Sequence, residues 1–100
     1  MCFLQSLFPF GRVVATPGAL AAVGISRLML CLGRHTRGDW GVVCEEDAET
    51  NNAGVRTGGR LMSAYPIDET KPCEGFGDNT FWIITEWDRN VTTFLLPNEY

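Results

Sequence analysis

One hundred residues, 45% hydrophobic and 20% charged, make a single globular domain, since one core usually serves about 100–150 residues. A disordered chain would hold fewer large apolar residues and more net charge. The net charge of −4 argues against a nucleic-acid binder with a basic face, and no apolar run approaches the ~20 residues of a membrane-spanning helix.

Residues 1–14 form an extended, apolar N-terminal segment interrupted by Pro9 and Gly11, which serves either as a short edge strand or as an arm across the core. Residues 15–58 read as helical. Thr16 can cap a first helix and Pro17 suits its first position, where the missing N–H is of no consequence. Ala19 to Val23 continue this helix and Gly24 ends it. Ser26 is the cap candidate for a second helix, whose apolar face is Ile25, Leu28, Met29 and Leu32 at spacings of three and four. The turn Thr36–Gly41 follows, with Trp40 as the anchor that folds back on the core. A third helix spans Cys44 to Thr57. Its first turn is acidic and Arg56 lies near its end, as the helix dipole favours. Its apolar positions, Cys44, Ala48 and Val55, are sparse, and Gly58-Gly59 stops it.

Residues 59–100 change to a period of two. Leu61–Tyr65 is a first strand, residues 66–79 a long acidic loop, and Phe81–Trp87 a strand dense in aromatic and β-branched residues. After the turn Asp88-Arg89-Asn90, Val91–Leu96 returns antiparallel and Pro97 closes the sheet. Both faces of Phe81–Trp87 are apolar, so it belongs in the centre. The order of elements predicts an α+β fold, with the N-terminal helices packed on a three-stranded antiparallel C-terminal sheet. Trp40, Trp82 and Ile84 are its expected structural anchors.

Charge is unevenly distributed along the chain. Residues 1–38 carry Arg12, Arg27, Arg34 and Arg37 and no carboxylate, whereas residues 39–100 carry all twelve acids against four basic residues, a net −8. Such a split predicts surface patches of opposite sign.

The four cysteines, Cys2, Cys31, Cys44 and Cys73, include no CxxC pair. Met1 to Phe10 lacks the basic region and the cleavage site of a secretory signal, so a cytoplasmic protein with reduced thiols is expected. Arg37-Gly38-Asp39 and Asn90-Val91-Thr92 resemble an adhesion tripeptide and a glycosylation acceptor, and both would need an extracellular setting. Cys31 and His35 share a helix face and make a zinc or Cys/His accessory site conceivable with Cys44 and Cys73. However, the second short ligand pair of a structural zinc site is missing. No nucleophile elbow or phosphate loop is present. The expectation is a protein without catalytic, cofactor-binding or metal-binding residues.

Arg34-His35, Gly38-Asp39-Trp40-Gly41, Glu46-Asp47, Gly59-Arg60-Leu61, Ser63-Ala64-Tyr65, Trp82-Ile83-Ile84-Thr85-Glu86, Asp88-Arg89, Thr92-Thr93 and Leu95-Leu96-Pro97, in that order, resemble a family of small bacterial proteins. Val14 to Leu20 also matches. The family is borne on phages, plasmids and integrative elements and is sometimes labelled restriction-associated. It carries over no catalytic residues. The chain departs from the family in a shortened first helical region around Gly24, a longer loop with Cys73, and Trp87 where a small residue is usual.

This resemblance implies a non-enzymatic protein of a mobile element that inhibits a host defence complex, anti-CRISPR or anti-restriction, by protein–protein binding. The expected partner is a host or phage protein complex, such as a nucleic-acid-binding defence effector, and not a membrane. The expected partner surface is Glu45, Glu46, Asp47 and Glu49 with Glu86, Trp87 and Asp88, where carboxylates would stand in for phosphates. The main alternative is a regulatory or plasmid-maintenance module that binds nucleic acid through Arg27, Arg34 and Arg37.

Overall fold

A computed structural model describes residues 6–100; Cys2 lies outside them. The fold is α+β, with three helices and a mixed four-stranded sheet. In chain order the elements are β1 (Arg12–Ala15), α1 (Pro17–Val23), α2 (Ile25–Thr36), α3 (Glu45–Thr57), β2 (Leu61–Pro66), β3 (Thr80–Thr85) and β4 (Val91–Leu95). A 3-10 turn, Pro97–Glu99, follows. The sheet order is β1-β4-β3-β2.

The expected three antiparallel strands are present and β3 lies between β2 and β4. A fourth strand corrects the count. The N-terminal segment is the edge strand β1, parallel to β4 with Arg12 opposite Val91 and Ala15 opposite Phe94. Parallel pairing of chain segments this distant leaves no local turn signal. Gly11 makes the approach: at φ 63 it passes so close to the Asn90 carbonyl that any Cβ would collide with it. β3 ends at Thr85, short of the expected Trp87, because Glu86 to Arg89 turn the chain, with Arg89 N–H donating to the Glu86 carbonyl at 2.9 Å.

α1 begins as its residues dictate. The Thr16 hydroxyl accepts from Ala19 N–H at 3.1 Å and Pro17 occupies the first turn. Gly24 both ends α1 and caps α2. It displaces Ser26 from the expected capping role. The buried face of α2 is Leu28, Cys31, Leu32 and His35, whereas Ile25 and Met29 are 58% and 48% exposed. The helix is thus rotated from the orientation its apolar stripe implies.

Burial of His35 is the reason. Leu61, Ser63 and Tyr65 of β2, Phe81, Ile83 and Thr85 of β3, and Thr92 and Phe94 of β4 share one sheet face by register. Three of these, Ser63, Thr85 and Thr92, carry aliphatic hydroxyls and are fully buried. Thr92 Oγ1 donates to the Phe10 carbonyl at 2.7 Å. With its only proton committed, Thr92 accepts from Thr85 Oγ1 at 2.7 Å. Thr85 must then accept from His35 Nε2–H at 2.9 Å, which leaves His35 Nδ1 to accept from Ser63 Oγ at 2.5 Å. The chain of bonds sets the tautomer and satisfies every member.

α3 runs along the free edge of β2. Asn51, a weak helix former, holds the helix to that edge. Its side-chain amide donates to the Met62 carbonyl at 2.8 Å and accepts from Met62 N–H at 3.1 Å. Farther along the same edge, Ala64 N–H donates to Trp40 O at 3.1 Å and Val42 N–H to Ala64 O at 2.8 Å. These contacts protect an edge that would otherwise template pairing with another chain. Gly41 enables them, since at φ 77 a Cβ there would strike the Ala64 carbonyl. Phe8, Trp40 and Leu61 form a second apolar cluster, joined by Ala48 and Val55.

Two expectations test this fold. Burial, and secondarily the charge of Arg89, push the His35 ring from its ordinary 6.5 down to about 3. Below about pH 6.5 the unfolded chain therefore binds a proton that the native state refuses. His35 stabilises the fold fully above that pH and loses its contribution as pH falls toward 3, by up to ~1.4 kcal/mol per pH unit. Between pH 6.5 and 5, before carboxylates titrate, the melting temperature should fall in the native protein and stay flat in His35→Gln. Equal slopes would contradict the network. Trp40→Ala should cost about 3–5 kcal/mol in urea unfolding; a loss below about 1 kcal/mol would deny Trp40 its anchoring role.

Candidate interaction surfaces

Glu45, Glu46, Asp47 and Glu49 occupy the first two turns of α3, and all four are exposed. Among the described residues none is within ion-pairing range of a basic side chain, since the ion pairs found are Arg27–Glu69, Arg34–Asp39 and Lys71–Asp68. The acids complement the positive end of the helix, which amounts to about half a charge. Four carboxylates against that half charge leave a strongly negative helix start.

Glu86, Trp87 and Asp88 lie in the β3–β4 turn. Trp87 is 68% exposed and Asp88 is turned toward its own loop, accepting from Asn90 N–H and Asn90 Nδ2, each at 3.0 Å. The turn does not join the acids of α3. Arg89, held at φ 62, donates to the carbonyls of Gly59 (2.6 Å), Glu86 (3.1 Å) and Gly54 (2.9 Å). It therefore fastens the turn to the far end of α3. About 12 Å of helix separates Glu46 from Gly54, more than the ~8 Å Debye length at physiological salt. The two acidic groups act as separate surfaces.

Arg27, Arg34 and Arg37 do converge. With Leu30, Cys31 and Glu69 they line a groove of about 300 Å³ beside α2. Two of the three are committed. Arg27 Nη1 donates to the Ile67 carbonyl at 2.6 Å, and its Nε lies 3.8 Å from Glu69. Arg34 spends Nε and Nη2 on Asp39, at 2.7 and 3.3 Å, while its guanidinium lies 4.7 Å from the Tyr65 ring centre. Arg34 holds the Asp39 carboxyl below its usual range. Arg37 is exposed.

The anchors are placed as follows. Trp40 is buried, its Nε1 donating to Asn52 Oδ1 at 2.9 Å. Ile84 is 2% exposed. Trp82 is half-buried and donates to the Gly75 carbonyl at 2.8 Å, tying the long loop to the sheet.

Ser63 and His35 stand at the separation of a nucleophile and its base, but both are completely buried, so no substrate reaches them. The same bonds bear on the zinc alternative. Both His35 nitrogens are occupied by hydroxyls. Cys44 is exposed at the start of α3, and Cys73 Sγ sits 3.2 Å from Thr80 Oγ1. Burial pushes the Cys31 thiol up. Among the described residues no three His, Cys, Asp or Glu side chains converge, and no helix is long and apolar enough to cross a membrane.

Sequence reasoning missed Arg89 and the inward role of His35. For His35 a signal existed: Ser63, Thr85 and Thr92 have the inward parity of their strands. For Arg89 none did, because its partners are backbone carbonyls. Compared with known proteins, the chain matches no family model, no curated protein and no solved structure.

Removal of metal supplies a direct test here. A chelator should leave the melting temperature unchanged, because zinc-dependent folds collapse without their ion. Stoichiometric zinc by elemental analysis would overturn this expectation.

Proposed function

We propose that this chain is a non-enzymatic binding protein that acts through protein–protein contact. Its partner surface is the start of α3, directed at a basic, nucleic-acid-handling surface of the partner. One observation carries the reading: Glu45, Glu46, Asp47 and Glu49 are exposed and unpaired among the described residues. From Asp39 to Thr50 the chain has five carboxylates and no basic residue. An uncompensated negative patch attracts Lys/Arg grooves that otherwise hold phosphates, and steers encounter with them.

The motif resemblance supplies the biological setting. It supports a protein of a mobile element that blocks a host defence complex of the CRISPR or restriction type. Trp87, exposed on the β3–β4 turn with Glu86 and Asp88, is a separate and secondary contact in this reading. Direct nucleic-acid binding through α2 is the weaker alternative, because Arg27 and Arg34 already face Glu69 and Asp39.

A pull-down from host lysate with nuclease present should retain the partner. Recovery should fall steeply between roughly 50 and 300 mM salt, on the order of tenfold or more. Glu45→Lys/Glu46→Lys should abolish recovery while Asp68→Lys/Glu69→Lys leaves most of it. Recovery indifferent to salt and to the α3 reversal would sink the electrostatic reading, and nuclease-sensitive recovery would favour the nucleic-acid alternative.

A further inference from the structure

The outward side of α2 combines three features that its internal packing does not use. Leu30 is 72% exposed, Ile25 58% and Met29 48%. At about 100° per residue, Ser26 and Gly33 fall between Met29 and Leu30 and form a low floor between two apolar ridges. Arg37, one turn after Gly33, comes onto the same arc beside Leu30, and Arg34 and Arg27 follow on the far side of Leu30. Leu30 shares the 300 Å³ groove with all three arginines.

Gly33 is the telling residue. A mid-helix glycine costs about 1 kcal/mol relative to alanine. A Cβ there would meet no atom closer than Arg37 Nη1 at 3.8 Å. Nothing within the described residues requires its absence, whereas an element packing from outside would gain a closer approach. Ridges on either side of a small-residue floor are the shape into which a second helix fits.

Charge selects the occupant. Arg27 and Arg34 face Glu69 and Asp39, so the net positive charge of this face rests on exposed Arg37, which follows α2. A phosphate backbone has no use for Ile25, Met29 and Leu30, while a basic helix would meet the arginines. We propose that the outward face of α2 is a docking site for an amphipathic, carboxylate-bearing helix of a partner protein. Its apolar residues seat on Met29 and Leu30 over the Ser26–Gly33 floor. Its carboxylates pair with Arg37 and with the free edge of Arg34. This surface is distinct from the acidic start of α3 and stands or falls independently of it.

The test is a fluorescence-polarisation titration with labelled designed helical peptides. The probes are a Leu/Glu amphipathic peptide, its Leu/Lys counterpart, and a single-stranded oligonucleotide with the same label. The Leu/Glu peptide should bind saturably and the Leu/Lys peptide at least about tenfold more weakly. Met29→Glu/Leu30→Glu should weaken Leu/Glu binding at least about tenfold, equivalent to ~1.4 kcal/mol, with the melting temperature unchanged. Gly33→Ala should move two readouts in opposite senses, raising the melting temperature and weakening the peptide. Glu45→Lys/Glu46→Lys should leave peptide binding intact, which separates this site from the α3 surface. The proposal is overturned by no saturable binding of the Leu/Glu peptide, equal binding of the Leu/Lys peptide, tighter binding of the oligonucleotide, or indifference to the α2 variants. Self-association abolished by Met29→Glu/Leu30→Glu would assign the face to a second copy and overturn it equally.

Discussion

The buried imidazole of His35 ties the helical part of the chain to the sheet. Its two nitrogens join α2 to β2 through Ser63 and to β3 through Thr85. The relay continues through Thr92 to the Phe10 carbonyl, and so to β4 and the segment before β1. Each of these groups, left unpaired in the interior, would cost about 1–3 kcal/mol. The network therefore admits one rotation of α2 about its axis and one register of the strands beneath it. Phe8 and Trp40 seal it with edge-on contacts to the ring at 5.4 and 5.6 Å.

That rotation decides the surface as well as the core. Facing His35 toward the hydroxyls takes Leu28, Cys31 and Leu32 inward and leaves Ile25, Met29 and Leu30 outside. A helix with Ile25 and Met29 buried would have strengthened the apolar core, and it would have stranded His35. The exposed apolar face of α2 is thus a direct consequence of a polar core.

Arg89 plays the complementary part at the β3–β4 turn. Three carbonyl bonds and a 5.5 Å approach to the Phe8 ring turn its charge inward. The β3–β4 turn consequently presents Glu86, Trp87 and Asp88 without their neighbouring cation. The same bonds hold the end of α3 at that turn, so the acids at the start of α3 stand about 12 Å of helix away from it. Asn51 and the Trp40–Val42 bridge close the β2 edge between them. In the proposed reading, contact through α3 thus rests on side-chain charge and not on strand addition.

Local chemistry made much of this legible in the sequence. Thr16-Pro17 and Gly24 bracket α1, the acidic run and Gly58 bracket α3, and the dense apolar run of β3 marks the central strand. These features depend on neighbours within a few residues. Trp40 was also legible, as a large apolar residue between glycines. The fourth strand was legible only as one of two options, because Val13 and Val14 reveal nothing of partners as distant in the chain as Thr92 and Thr93. The rotation of α2, the inward turn of Arg89 and the separation of the two acidic groups belong to the tertiary structure alone. In each, the deciding partner is a distant hydroxyl or a backbone carbonyl, and such bonds follow from the meeting of surfaces, not from the order of residues.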